Sequence, residues 1–209
     1  MSSRSAGRLF AVIPAAGRSR RMGQPKLLLP VGGSTILGRL LETLSHPRIA
    51  ARIVVVRAED HALVSEATRW GGQVIQPPID PPDMKTSVEA ALRSIEQDSQ
   101  PQPDDGWMLI PADHPWLPGS LLSEILAAWD SLQPAILVPS FAGRRGHPTL
   151  FRWSMAAALP EIPADQGLNW LLERFSEQVV DWPCQSPEVT WDLDTPEDYA
   201  RLIGQQRAD

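Results

Sequence analysis

The stretch Arg8–Gly33, RLFAVIPAAGRSRRMGQPKLLLPVGG, decides the reading of this chain. Leu9–Ile13 is an apolar run of strand length that gives way to a small, flexible loop holding Gly17, Gly23, Arg18, Arg20, Arg21 and Lys26. Residues 1–41 carry seven Lys/Arg and no acid, whereas the rest of the chain carries 12 cations against 25 acids. A strongly positive loop on an acidic protein is poorly explained as solubilising surface. It is well explained as a phosphate seat, where glycines let backbone N–H groups approach and cations neutralise the charge. The loop is not a Walker A, which needs Gly-Lys-Ser/Thr adjacent, because Lys26 follows Pro25. The Rossmann G-x-G-x-x-G is absent as well.

Outward from that loop, short apolar runs alternate with helical patterns. Leu9–Ile13, Arg52–Arg57, Gln73–Gln76, Trp107–Ile110 and Ala135–Val138 read as strands. Ser34–Leu44 places Ile36, Leu37, Leu40, Leu41 and Leu44 on one helix face, and Asp60–Trp70, Thr86–Glu96 and Leu121–Trp129 read likewise. Thr86-x-x-Glu89 has the form of a capping box. Past Phe151 the pattern weakens to helix, helix, short strand and a terminal helix over Thr195–Gln206. Two proline-rich segments, Pro77–Pro82 and Gln100–Pro103, read as stiff loops. The expectation is one α/β domain over residues 1–209, with a core from 9 to 203. Its sheet is doubly wound, mostly parallel and Rossmann-like, with ligands at the carboxyl ends of the strands.

Composition narrows the function. With 209 residues and 43% hydrophobic content the chain can build a full core. No apolar run reaches the ~18–20 residues that span a bilayer, and MSSRSAGRLF lacks a signal-peptide core. A lone cysteine, Cys184, excludes an internal disulfide and suits a reducing cytoplasm. The acidic balance argues against nucleic acid as a partner. The eight tryptophans are scattered without a repeat and read as core and rim fillers.

Ala15-Ala16-Gly17, Ser19, Arg21-Met22-Gly23, Lys26 and Leu28-Leu29-Pro30 resemble the signature of MobA-like nucleotidyltransferases, in register throughout. The branch it most resembles is molybdenum-cofactor cytidylyltransferase, favoured by Ala-Ala-Gly over Ala-Gly-Gly; Pro14 stands where leucine is usual. The resemblance implies an NTP, CTP in this branch, with Ala15, Ala16, Gly17, Arg18, Ser19, Arg21, Lys26 and Ser87 holding it. Ser87 belongs to Asp83-Met84-Lys85-Thr86-Ser87-Val88, similar to a nucleotide-holding segment of the family but without its glycine. Read alone, Thr86 and Ser87 merely cap a helix.

Ile110-Pro111-Ala112-Asp113-His114-Pro115 resembles the family's metal-binding element, with His114 in place of methionine. On spacing alone Asp113 is a turn or cap residue; the resemblance makes it an Mg²⁺ ligand. Trp191-Asp192-Leu193-Asp194-Thr195-Pro196-Glu197-Asp198-Tyr199 matches a second family motif. Capping explains Thr195, Glu197 and Asp198. It leaves Asp192 and Asp194, which on a strand would face one side; Asp194 is the expected second metal ligand and Asp192 its helper or substitute. Gly143–Phe151 resembles the segment over the acceptor. There Arg144 and Arg145 could grip a phosphate, although arginines on a glycine loop are often solvated, and His147 could be an acceptor contact, a base or a structural residue. Asp165 lies in a further acceptor-side motif, in which Asn169 replaces the family's arginine.

Together these imply a Mg²⁺-dependent enzyme with Lys26, Arg21 and Asp113 central to catalysis. It would move a nucleoside monophosphate to a phosphorylated acceptor, molybdopterin by resemblance, with a molybdoenzyme as a further partner. Two alternatives remain open: a sugar- or alcohol-phosphate nucleotidyltransferase, and a non-catalytic nucleotide-binding cofactor chaperone.

Overall fold

The computed structural model describes residues 7–205, without the side chains of Arg20 and Gln205. Gln206, the last residue of the expected terminal helix, and the start of the N-terminal segment MSSRSAGRLF lie outside the described residues. β1 (Leu9–Pro14) is buried on both faces, as its unbroken apolar run requires. Leu9, Ala11 and Ile13 face one apolar layer, and Phe10 and Val12 face the other.

The first layer is covered by α1 (Ile36–Thr43), α2 (His61–Arg69), α4 (Gly119–Leu132) and α6 (Pro196–Gln205). The second is covered by α3 (Met84–Ser99), α5 (Asn169–Arg174) and a 3₁₀ segment, Trp153–Glu161. Between them lies an eight-stranded sheet. β1 pairs in parallel with β4 (Ile49–Val55) on one side and β6 (Gly106–Leu109) on the other, and β5 (Gln73–Ile75) follows β4 at the edge. Beyond β6 come β9 (Thr149–Arg152), β7 (Ile136–Phe141) and β10 (Val179–Pro183), while β8 (Arg144–Arg145) adds to β7. β9 is antiparallel to both neighbours, and its Phe151 stacks on Trp107 of β6 at 4.1 Å. A separate two-stranded ribbon joins β2 (Pro30–Val31) to β3 (Ser34–Thr35).

The chain runs from β1 to β4 and β5, then crosses back over β1 to β6. That reversal opens a crevice at the carboxyl ends of β1 and β6, where open α/β sheets take ligands.

Three local expectations are corrected. α3 begins at Met84 rather than Thr86, and its cap is Asp83, whose carboxylate accepts from the Thr86 amide at 2.7 Å and from its hydroxyl at 2.8 Å. A charged acceptor three residues ahead of Thr86 outcompetes a hydroxyl for the first free amide. Ser34 and Thr35 are strand rather than helix, and the Thr35 hydroxyl caps α1 by accepting from the Gly38 amide. The segment 191–195 is irregular, not a strand, so the alternation invoked for Asp192 and Asp194 does not apply.

Candidate active site

Residues 15–26 form a loop anchored at both ends. Ala15 is buried and its amide donates to the Val55 carbonyl, while Met22 and Leu27 sink into the first apolar layer. Ser19, with φ of 47°, turns the chain, and its hydroxyl accepts from the Lys26 amide at 3.3 Å. Its side chain thus shapes the loop. Gly17 faces open space: a Cβ there would meet no protein atom within 4 Å.

That room is a crevice of about 640 Å³, lined by Pro14, Ala16, Gly17 and Arg18 on one wall and Asp83, Met84 and Ser87 on another. Asp113 closes its floor beside Pro111. Ser87 is buried, and its hydroxyl donates to the Asp83 carbonyl at 3.2 Å, so it serves the helix start and lines the crevice together. Arg18 reaches across to Asp80 at 3.2 Å.

Lys26, Arg21, Asp113 and Asp194 converge. The Lys26 ammonium donates to Asp113 Oδ2 at 2.6 Å, to the Leu193 carbonyl at 2.6 Å and to Asp194 Oδ1 at 3.0 Å, which engages all three of its protons. Arg21 meets the other oxygen of Asp194 at 2.9 Å. A backbone bond from Leu193 N to the Asp113 carbonyl, 3.0 Å, ties the two segments together. Burial works against the lysine's charge, but Asp113 and Asp194 outweigh it and hold the ammonium above the ordinary lysine value.

Asp192 is separate from this group. It lies 3.7 Å from Nδ1 of the fully buried His114, an ion-pair distance, and His114 holds its carboxyl below the usual range against the effect of burial. The His114 ring stands edge-on to His147 at 6.0 Å. Burial, with His114 close by, lowers His147 to about 4 although Asp192 opposes this, so its imidazole is neutral at pH 7. Asp198 and Thr195 cap α6 reciprocally, as capping alone would have them.

The acceptor-side residues stand apart from the crevice lining. Arg145 is bound bidentately to Asp181 at 2.7 and 2.9 Å. Arg144 and Asp165 are exposed, and neither side chain has a partner among the described residues. Sequence reasoning missed Arg57 and Asp80, which also line the crevice; Met84, from the segment read as nucleotide-holding, lines it too. A signal existed for Arg57, the polar residue ending the RIVVVR run, and for Asp80, the one acid within PPIDPP.

Asp113 and Asp194 fit a metal. They already share one cation, the lysine ammonium, and hard oxygen donors suit Mg²⁺. No cluster of three or more His, Cys, Asp or Glu side chains able to hold an ion exists among the described residues. Phosphate oxygens and water would have to complete the coordination, as is usual for Mg²⁺.

Phosphate-seeking cations opposite a carboxylate pair, at the switch point of a doubly wound sheet, define a nucleotidyltransferase. The chain belongs to the MobA-like NTP transferase domain family, which matches residues 11–179. It is 26% identical to a molybdenum cofactor guanylyltransferase of Rhodopseudomonas palustris (strain HaA2), over 93% of this chain and 90% of that one. It is 30% identical to the purine catabolism protein PucB of Bacillus subtilis (strain 168), over 91% and 94%. Among solved structures, Rv0371c of Mycobacterium tuberculosis H37Rv superposes with a TM-score of 0.78 at 26% identity, covering 96% of this chain and all of that one. A manganese complex of the same protein superposes with a TM-score of 0.74 at 24% identity, over 94% and 98%.

Proposed function

We propose that the protein transfers CMP from CTP to a phosphorylated acceptor of the molybdopterin class, releasing pyrophosphate, with Mg²⁺ held by Asp113 and Asp194. The observation that carries this is the convergence of Lys26, Arg21 and Asp194 on Asp113, which lines the crevice. An oxygen of the acceptor phosphate attacks the α-phosphorus, the bond to the bridging oxygen breaks, and pyrophosphate leaves with the electron pair. No general base is required, because a phosphate monoester is already ionised at neutral pH. The work left to the protein is positioning and charge neutralisation. Backbone amides near Ala16 and Gly17, with Arg18, Arg21 and Lys26, take the triphosphate, and Ser87 lies toward the nucleoside. When bound, the metal neutralises charge on the phosphoryl oxygens. Arg144, exposed and unpaired, is the available cation for the acceptor.

GTP is the second reading, favoured by the Rhodopseudomonas relative, whose name is guanylyltransferase. Asn169 bears on the acceptor, since an arginine there would add a cation where an anion is expected. The test is pyrophosphate release from each of the four NTPs with Mg²⁺, with and without molybdopterin and with phosphosugars as competing acceptors. Release from CTP that depends on molybdopterin is the expected result. Nucleotide binding without release from any acceptor would instead indicate a binding module.

A further inference from the structure

The cations expected to receive phosphate are already seated on the crevice carboxylates Asp80 and Asp113 and on Asp194, which shares Lys26 with Asp113. Lys26 lies between Asp113 and Asp194, Arg21 on Asp194, and Arg18 on Asp80. Conversely, the two carboxylates expected to receive a divalent ion already hold an ammonium, whose side chain is only 12% exposed. The positive charges of Lys26 and Arg21 offset the negative charges of Asp113 and Asp194, so this geometry leaves no net negative seat. An ammonium at 2.6 Å from Asp113 Oδ2 and 3.0 Å from Asp194 Oδ1 also stands where a single ion bridging those two oxygens would lie. The two cannot share the position.

We infer that Lys26 is an exchangeable counter-ion: without nucleotide it fills the metal seat, and the incoming triphosphate draws it off Asp113 and Asp194 and so opens that seat. This rests on the assignment of Asp113 and Asp194 as the metal pair. Lysine suits the task because its ammonium is a point charge on a flexible four-carbon stem, able to move between two anionic partners. Arg21 assists from the outside, since its side chain is 73% exposed and can turn toward phosphate at little cost in packing. The consequence is positive coupling. Nucleotide raises the protein's affinity for the metal, and by linkage the metal raises its affinity for nucleotide by the same factor. Lys26 therefore does two opposed things: it favours nucleotide and it disfavours metal in the absence of nucleotide.

The test is Mn²⁺ binding by the nucleotide-free protein, followed by the electron paramagnetic resonance signal of the free ion. Lys26→Met should bind Mn²⁺ at least about tenfold more tightly than wild type, the scale of removing one unit charge at contact distance in a partly wetted site. Adding Asp113→Asn to that variant should abolish the gain. Binding of CTP without metal, followed by equilibrium dialysis, should move the other way and weaken. Unchanged or weaker Mn²⁺ binding by Lys26→Met overturns the inference. If that variant fails to fold, judged by circular dichroism, Lys26→Gln decides in its place: tighter Mn²⁺ binding supports the exchange and no change overturns it. Failure of the exchange alone is recognisable: with CTP present, wild type would still bind Mn²⁺ at a site that Asp113→Asn removes. If Asp113→Asn has no effect with or without CTP, the metal assignment falls as well.

Discussion

Asp113, from the middle of the chain, and Asp194, from near its C-terminal end, reach the same ammonium, and that contact is the finest piece of information in the structure. If both hold one ion, Asp113→Asn and Asp194→Asn should each lower kcat by roughly two decades or more, since a metal-stabilised phosphoryl oxygen is worth several kcal/mol. The double variant should be little worse than either single, because two ligands of one ion act as a unit. Asp192→Asn should cost less, as its carboxylate faces His114 instead. Steady-state kinetics of the four variants settle the matter; full additivity would leave the two carboxylates with separate roles. The residue types in these motifs were legible in the sequence, but their division of labour was not. Asp192 and Asp194 look equivalent in WDLDTP, and they diverge because the segment pairs with no strand, and one meets a buried imidazole and the other Lys26 and Arg21. Arg144 and Arg145 divide in the same way, since an acid on β10 claims only Arg145.

At the scale of an element, the start of α3 joins folding to the site. Asp83 caps the helix while Met84 and Ser87, one turn on, line the crevice. Asp83→Ala should cost about 1 kcal/mol in urea unfolding, the usual value of a lost side-chain cap. It should also weaken nucleotide binding, because the first turn of α3 is part of the crevice wall. Thr86→Ala should cost less, since the Thr86 hydroxyl donates to the cap and is not itself the cap. Equal costs at the two positions would restore the capping box that the sequence suggests. Elements with strong periodicity, β1 and α1 among them, were legible to within a residue or two. β9 was not: the strand state of Thr149–Arg152 depends on antiparallel pairing with β6 and β7, which no local pattern announces.

At the scale of the whole molecule, acid should act in two stages. His147 lies near 4 in the folded protein against about 6.5 when unfolded, so between those values the unfolded state binds more protons. Its contribution is complete above pH 6.5 and falls by about 2–3 kcal/mol on the way down to pH 4. Depressed carboxylates act lower. For Asp105, burial is outweighed by Arg8 and by the backbone amides of Gln102 and Arg8, so its contribution stands above the unfolded value of about 3.9 and is lost as pH falls through the folded one. Urea unfolding from pH 3 to 8 should therefore show a gentle slope below pH 6.5 and a steeper one below about 4. His147→Asn should flatten the first and spare the second. A curve unchanged by that substitution would mean that His147 is as exposed to protons in the fold as in the unfolded chain.

The sequence by itself determined the class of fold and the chemical character of the loop after β1. Both depend on local patterns: an apolar run of strand length, alternation with helical periods, and cations beside glycines. The tertiary structure alone decided which charges meet. Lys26 finds Asp113 and Asp194 only because the strand order reverses between β1 and β6 and α6 returns its preceding segment to that edge. Coulomb attraction between groups far apart in the chain has no signature in spacing or composition, since it depends on a distance that exists only after the layers have packed.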